Sequence, residues 1–484
     1  MKISLRSLLI FFILLIAFFL RVYKLNDLMP FIGDYAWFYI SARDMILTGE
    51  IPLVGITSSH IWVHQGALWT YLLFLPLLAS KFHPVSGAYL TAIAGTLSVF
   101  LMYKIGMQMF SRLVGLIAAA LYATSPLVVI HSRVPYHTSL IPLFSLLFVF
   151  FIYKWIKGDV RFFPFVIFTL GILYNLELVT MICWIFLILV FVYGVIKKEK
   201  WLRETLKFKT ILLSAFLFLL VMFPMIIYDI KESSGFFQAT AFFRIIKIYL
   251  FSPLPVLSFE EIRGIFASLF SYNQRLVFLG DGIFASILTV ISFFYLLVRH
   301  SGDSERSVED SRILVVHRDS GQARMTTGEK RVKNETLALL LLVLWIIISF
   351  SAILISGTAS EAYVPMLFPA IIFSIALFLN YLSRQQAFIV LIVILFIAIT
   401  NTNFLITKNY LMDVKGGYGL AFSKRLSITK EIINKAKGGE YNLVGKGKGS
   451  GHKTFTINYE YLAWWLGYPP SRIPEKLQFV IEEK

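Results

Sequence analysis

Residues 30–71 read PFIGDYAWFYISARDMILTGEIPLVGITSSHIWVHQGALWTY. Asp34, Asp44, Glu50, His60 and His64, with Arg43 among them, gather here in a chain that is 58% hydrophobic and only 15% charged. An apolar run over residues 5–22 precedes the stretch, and a long series of apolar runs follows it. The stretch therefore reads as a polar loop between membrane-spanning helices. Water, a charged substrate and a protein acid can meet in such a loop, and it is read as the active face.

Composition narrows the class. A soluble protein of 484 residues needs far more polar surface than this, which leaves a polytopic membrane protein. The net charge of +17 could suggest a nucleic-acid ligand, but the basic residues sit in short clusters between apolar runs. Membrane topology explains that placement, so no nucleic-acid partner is expected. Cys183, the single cysteine, lies inside the apolar run TMICWIF and reads as a structural thiol. The first run, with Lys2 and Arg6 ahead of it and no small-residue cleavage site behind it, reads as a retained anchor with a cytoplasmic N-terminus.

Further apolar runs occupy about residues 88–105, 113–130, 140–155, 162–176, 179–196, 211–228, 277–298, 336–356, 364–382 and 387–404. The run 67–82 is ambiguous. Laid along the membrane rather than across it, it puts Lys104, Arg112, Lys154, Arg161, Lys197, Arg203, Arg299 and Arg384 all on the cytoplasmic side. The expected architecture is thus all-α and polytopic, with about eleven transmembrane helices in a bundle over residues 1–406. Its outer loop, 24–87, carries interfacial helices, and its cytoplasmic loop, 300–335, mixes charge signs and reads as a solvated connector. Residues 407–484 read as a small α/β domain outside the membrane. There SITKEIINKAKGG and INYEYLAWWLGYPP look helical, while YNLVGK and KLQFVIEE look extended. The glycine-rich GKGKGSGHKT lacks the phosphate-loop spacing and reads as a turn.

On this topology the polar groups collect on the outer face. Asp34 falls at the first turn of an amphipathic helix, where two roles stay open: a helix cap or a catalytic carboxylate. His64 precedes ALWTYLLF and is read as opening a second interfacial helix, where free backbone N–H groups could help it hold an anion. The turn HSRVPYHTS offers Arg133, Tyr136 and His137. An outward arginine runs against the charge bias and suits a phosphate. Asp229 and Glu361 are acids at outer helix ends.

The arrangement resembles the GT-C superfamily of membrane glycosyltransferases, in the branch of the protein O-mannosyltransferases and the lipid A aminoarabinose transferase. That family's loop reads roughly G-D-E-A-x-Y-x-x-x-A-R-x-M-x-x-G-x-x-P. GDYAWFYISARDMILTGEIP matches it at Gly33, Asp34, Ala36, Ala42, Arg43, Met45, Gly49 and Pro52. Tyr35 stands in place of the second acid of the pair, and a divalent metal is left open. Two prolines that follow the family's H/K are absent after His64, the second-loop arginine falls on Arg133, and His137 stands where an acid is common. Pro224, Tyr228 and Asp229 match the end of a mid-chain span, and Tyr363, Pro365 and Pro369 resemble the start of a late one.

The resemblance implies an inverting transfer from a polyprenyl-phosphate sugar, lodged among membrane lipids, to an unidentified acceptor. Asp34 would be the base, and Arg133 with His64 and His137 would hold the donor phosphate. The competing class is a lipid-linked-sugar flippase or transporter, which should carry ionisable groups or broken helices at mid-membrane. Here the polar residues gather at one face instead.

Overall fold

The computed structural model describes residues 5–57, 63–232, 238, 241, 247, 258–316, 327–356, 360–447 and 449–482. His60 and, in the segment after Asp229 that is expected outside, residues 233–237, 239–240, 242–246 and 248–257 lie outside the described residues. The protein is an all-α polytopic membrane protein, with two small two-stranded sheets among the described residues. Among the described residues, seven helices are long and apolar enough to cross a membrane: Ser86–Met109, His137–Ile156, Leu178–Ile196, Phe208–Lys231, Gly282–Arg299, Asn334–Ile355 and Val364–Thr407.

The last of these has 44 residues, about 66 Å of helix, or roughly twice a bilayer core. It breaks at Gln386, whose backbone leaves helical geometry. Two expected spans, 364–382 and 387–404, thus share one kinked element. Three further expected spans are the shorter apolar helices Ser7–Val22, Arg112–Thr124 and Val160–Leu176. Arg112–Thr124 stops where Ser125 turns extended ahead of Pro126, and the chain resumes as Pro126–His131. Leu68–Ala79, the run expected to lie along the membrane, has 12 residues and Pro76 inside it. That is about 18 Å of helix, too short for the hydrocarbon core.

Close helix crossings depend on small residues, as expected where lipid is as apolar as leucine. A Cβ on Gly106 would lie 2.8 Å from the Cα of Gly115, and one on Gly115 would lie 2.5 Å from the Tyr103 carbonyl. Ser86–Met109 and Arg112–Thr124 can therefore approach to backbone contact.

Two local expectations need correction. His64 does not open a helix. His64–Gly66 is a strand paired antiparallel with Val54–Thr57, and the helix begins at Leu68. The connector 300–335 is largely helical, because Gly282–Val316 continues past the apolar run and Thr327–Ser356 begins ahead of the next.

The tail folds around Phe422–Ala436, Ile457–Trp465 and the parallel strands Asn442–Lys446 and Gln478–Glu482. Its first helix starts five residues before the expected Ser427, behind Ala421 as N-cap. That end is held by tertiary pairing: Ala421 bridges Pro30, and Phe422 N donates to Met29 O. Phe422, Tyr461 and Leu462 join the same hydrophobic core as Phe31, Phe38 and Tyr39 of the first loop. The tail is packed onto that loop.

Candidate active site

The loop helix Gly33–Thr48 carries Asp34 in its first turn. Its N-cap is Ile32, in extended backbone, and no side chain caps the free N–H groups. Asp34 is therefore not a cap. Its Oδ1 instead accepts a hydrogen bond of 2.6 Å from Thr454 Oγ1, out of the tail. The half-buried carboxylate sits where the helix dipole favours negative charge.

Beside it, the ring of Tyr35 lies 4.7 Å from that of Tyr136, and the Tyr136 ring lies 3.8 Å from that of His137, tilted by 50°. Phe38 closes this aromatic wall, 5.1 Å from His137. Behind the wall, His137 Nε2 faces Glu177 Oε2 at 3.3 Å, and Gln65 Nε2 donates to the same oxygen at 2.9 Å. Glu177 Oε1 accepts from Leu178 N. The carboxylate only accepts, so this network places the histidine proton on Nε2 and leaves Nδ1 as an acceptor. Nδ1 is buried and has no hydrogen-bond partner among the described residues. Burial holds the Tyr136 hydroxyl well above the usual tyrosine range, and Asp34 and Glu177 push it the same way. Tyr35 is raised by burial, then by Glu361 and Asp34. Both hydroxyls stay protonated donors.

The cluster continues through Glu361. Its Oε1 accepts from Tyr418 at 2.6 Å, and its Oε2 meets Arg275 Nη1 at 3.0 Å. Arg275 also donates to Tyr418 and lies 5.1 Å from the face of Tyr272. Burial works against the Arg275 charge, but Tyr418 and Glu361 outweigh it and hold the guanidinium above the usual arginine range. Tyr363 and Arg425 are within electrostatic reach, Tyr363 at Tyr136 and Arg425 at Tyr35. Connections after the first, third and fifth apolar helices, the 360–363 turn and the tail thus converge at one end of the bundle.

Four expected site residues lie outside this convergence. Arg133 is 1% exposed. Its Nη1 donates to the carbonyls of Leu20, Arg21 and Tyr23 at 3.2, 3.0 and 2.9 Å, and its guanidinium lies 3.8 Å over Tyr410. It satisfies the orphan carbonyls at the end of Leu5–Val22, and burial lowers it to about 10, still charged at neutral pH. The expected phosphate contact is replaced by this cap. Lysine lacks the flat guanidinium that lies over Tyr410 and its shorter stem draws the donor back from the three carbonyls, so Arg133→Lys should lose about 1–3 kcal/mol of stability. A lower melting temperature with normal activity per folded molecule is the expected measurement. His64 donates its N–H to Gln238 Oε1, while Asp229 accepts from Gln238 N, so these two bracket a separate junction. Arg43 pairs with Asp44 and lies 4.8 Å over Trp464, pinning the tail helix to the loop helix.

Glu177, Gln65, Arg275, Tyr418 and Thr454 were not expected as site residues. A charged residue at the end of an apolar run ordinarily reads as a snorkelling terminus, which masks Arg275. Among the described residues no three of His, Cys, Asp and Glu converge to hold a metal ion. With Tyr35 beside Asp34 and one Asp34 oxygen bonded to Thr454, the donor set at this point does not fit a divalent cation.

No family model matches the sequence, and no curated protein does. Solved structures do. The oligosaccharyltransferase of Archaeoglobus fulgidus, in complex with Zn and sulfate, superposes over 96% of this chain with a TM-score of 0.58 at 13% identity. The chain has the GT-C fold. The same enzyme tethered with an acceptor peptide containing the NVT sequon gives a TM-score of 0.55 at 14% identity, again over 96% of this chain. ArnT from Cupriavidus metallidurans, in the apo state, gives 0.48 at 12% identity, covering 97% of this chain and 85% of that one. The GT-C fold here spans 62% of the length of the oligosaccharyltransferase in its Zn and sulfate complex and 63% in its peptide complex.

Proposed function

We propose that this protein is a membrane glycosyltransferase. It would take a sugar from a polyprenyl-phosphate donor and pass it, with inversion at the anomeric carbon, to an acceptor at the outer face of the membrane. The observation that carries the reading is the convergence of Asp34, paired tyrosines, Glu177–His137 and Arg275–Glu361 at one end of an apolar bundle with the GT-C fold.

The chemistry follows from those groups. Displacement at the anomeric carbon leaves a lipid phosphate anion, so a cation must face the developing charge. Arg275 is the guanidinium of this cluster that is both partly exposed and paired with a displaceable carboxylate. The acceptor needs a base on the opposite face of the sugar, and Asp34 offers Oδ2, which no hydrogen bond or ion pair reaches among the described residues. Tyr35 and Tyr136, held protonated, would donate to sugar or phosphate oxygens and present aromatic faces to the ring. His137, buried behind them, would act through Glu177 and the Tyr136 ring rather than on the substrate.

Transfer from a set of polyprenyl-phosphoryl hexoses by the purified full chain in detergent is the direct test. Absence of transfer from every such donor, to any acceptor in host membrane extract, would overturn the reading. The outer placement has its own test. Cys183 is buried and is the single native cysteine, so an introduced one is labelled against a quiet background. A cysteine replacing exposed Lys446 is expected to react with an impermeant maleimide on intact cells. Labelling only after the cytoplasmic face is opened would reverse the topology and the site with it.

A further inference from the structure

We propose that Thr454 is a positioning residue for Asp34, which makes the C-terminal tail part of the active site. This rests on the reading of Asp34 as the transfer base. Thr454 Oγ1 donates 2.6 Å to Asp34 Oδ1 from the glycine-rich turn that ends in GHKTF. A lone hydroxyl on a carboxylate would mean little, but this one is built in from both sides.

The turn is closed by His452 N to Gly449 O at 2.9 Å and by Phe455 N to His452 O at 3.1 Å. It then runs into Ile457–Trp465, whose first turn starts with Ile457 N donating to the Thr454 carbonyl. That helix is tied to the first loop by Asn458 Nδ2 to Phe31 O at 3.0 Å and by Tyr461 OH to Phe82 O at 2.9 Å. On the loop side, a Cβ at residue 33 would lie 1.6 Å from the Thr454 carbonyl oxygen. Only glycine permits this approach, and the approach is what brings the threonine hydroxyl within reach of Asp34.

The geometry divides the carboxylate between two tasks. Oδ1 is fixed by Thr454, which sets the rotamer and the plane of the group. Oδ2 is left to take the acceptor proton. A base held in one orientation loses less entropy on reaching the transition state than one free to rotate. Thr454 therefore acts through Asp34 and touches neither donor nor acceptor.

The test compares the full-length wild type with Thr454→Val, Thr454→Ser, Asp34→Asn and the Asp34→Asn/Thr454→Val double variant. Each is assayed with polyprenyl-phosphoryl hexose and melted in the same detergent. Thr454→Val keeps the shape and loses the donor, so kcat should fall by about tenfold with donor KM within about twofold. Thr454→Ser, which keeps the hydroxyl, should stay within about threefold of wild type. The double variant should be no slower than Asp34→Asn alone, because the group that Thr454 still holds there is no longer a base. A Thr454→Val enzyme with wild-type kcat would overturn the proposal. So would losses that multiply in the double variant, or a lowered melting temperature with normal activity per folded molecule. If Asp34→Asn itself keeps full transfer, the base assignment has failed, and the positioning role falls with it.

Discussion

Asp34→Asn is expected to lower transfer by about a hundredfold or more while leaving the melting temperature unchanged. The separation of the two readouts follows from what Asp34 does in the fold. It makes no N-cap contact, since that position is Ile32, so the helix Gly33–Thr48 does not depend on its charge for a cap. Its one side-chain bond is accepted from Thr454 at Oδ1, and an asparagine carbonyl accepts the same bond. What asparagine cannot do is take a proton at the other atom, where an amide NH₂ replaces the oxygen. The loss is therefore confined to base chemistry. Purified variant and wild type in detergent, assayed with the same donor set and melted in parallel, give both numbers. Near-normal transfer by Asp34→Asn would remove the base role and direct the search to Glu177 or Glu361, the other carboxylates of the cluster. Failure of Asp34→Asn through unfolding would leave the role without support.

The part of this site that the sequence makes legible is the part with a local signal. Gly33-Asp34 ahead of aromatic and small residues marks the loop helix, and the apolar runs mark the bundle, because both patterns lie within one element. The partners of Asp34 have no such signal. Thr454 is 420 residues away, in a turn whose glycines and lysines read as flexible. Glu177 is an acid at a helix end until the fold puts Gln65 and His137 on its Oε2. Arg133 misleads for the converse reason. An arginine in an outer turn resembles an anion site, and only the packing of Leu5–Val22 and Tyr410 around it turns it into a buried cap. His64 misleads through composition, since a polar residue before an apolar run looks like a helix start. The pairing of Val54 with Gly66 and of Thr57 with His64 makes that segment extended instead.

The second large effect is expected at Arg275. If its guanidinium meets the leaving lipid phosphate, Arg275→Gln should cut kcat by about a hundredfold or more, and Arg275→Lys by about tenfold. Lysine keeps the charge but loses the planar fork, so the two variants grade charge against geometry. A purely structural latch is the competing account, because Arg275 joins Glu361 and Tyr418 and so ties the 360–363 turn to the tail. Glu361→Gln decides between the accounts. Under the latch, removing either partner breaks the same bond, and the two variants should be equally impaired. Under phosphate binding, the glutamate is the group the phosphate displaces: Tyr418 can still donate to a glutamine carbonyl at 361, and the freed Arg275 still faces the donor. Glu361→Gln should then keep kcat within about threefold, with an unchanged or lower donor KM. Equal losses in Arg275→Gln and Glu361→Gln would assign the pair to the fold and leave the leaving-group charge to Arg425, the guanidinium whose field reaches Tyr35.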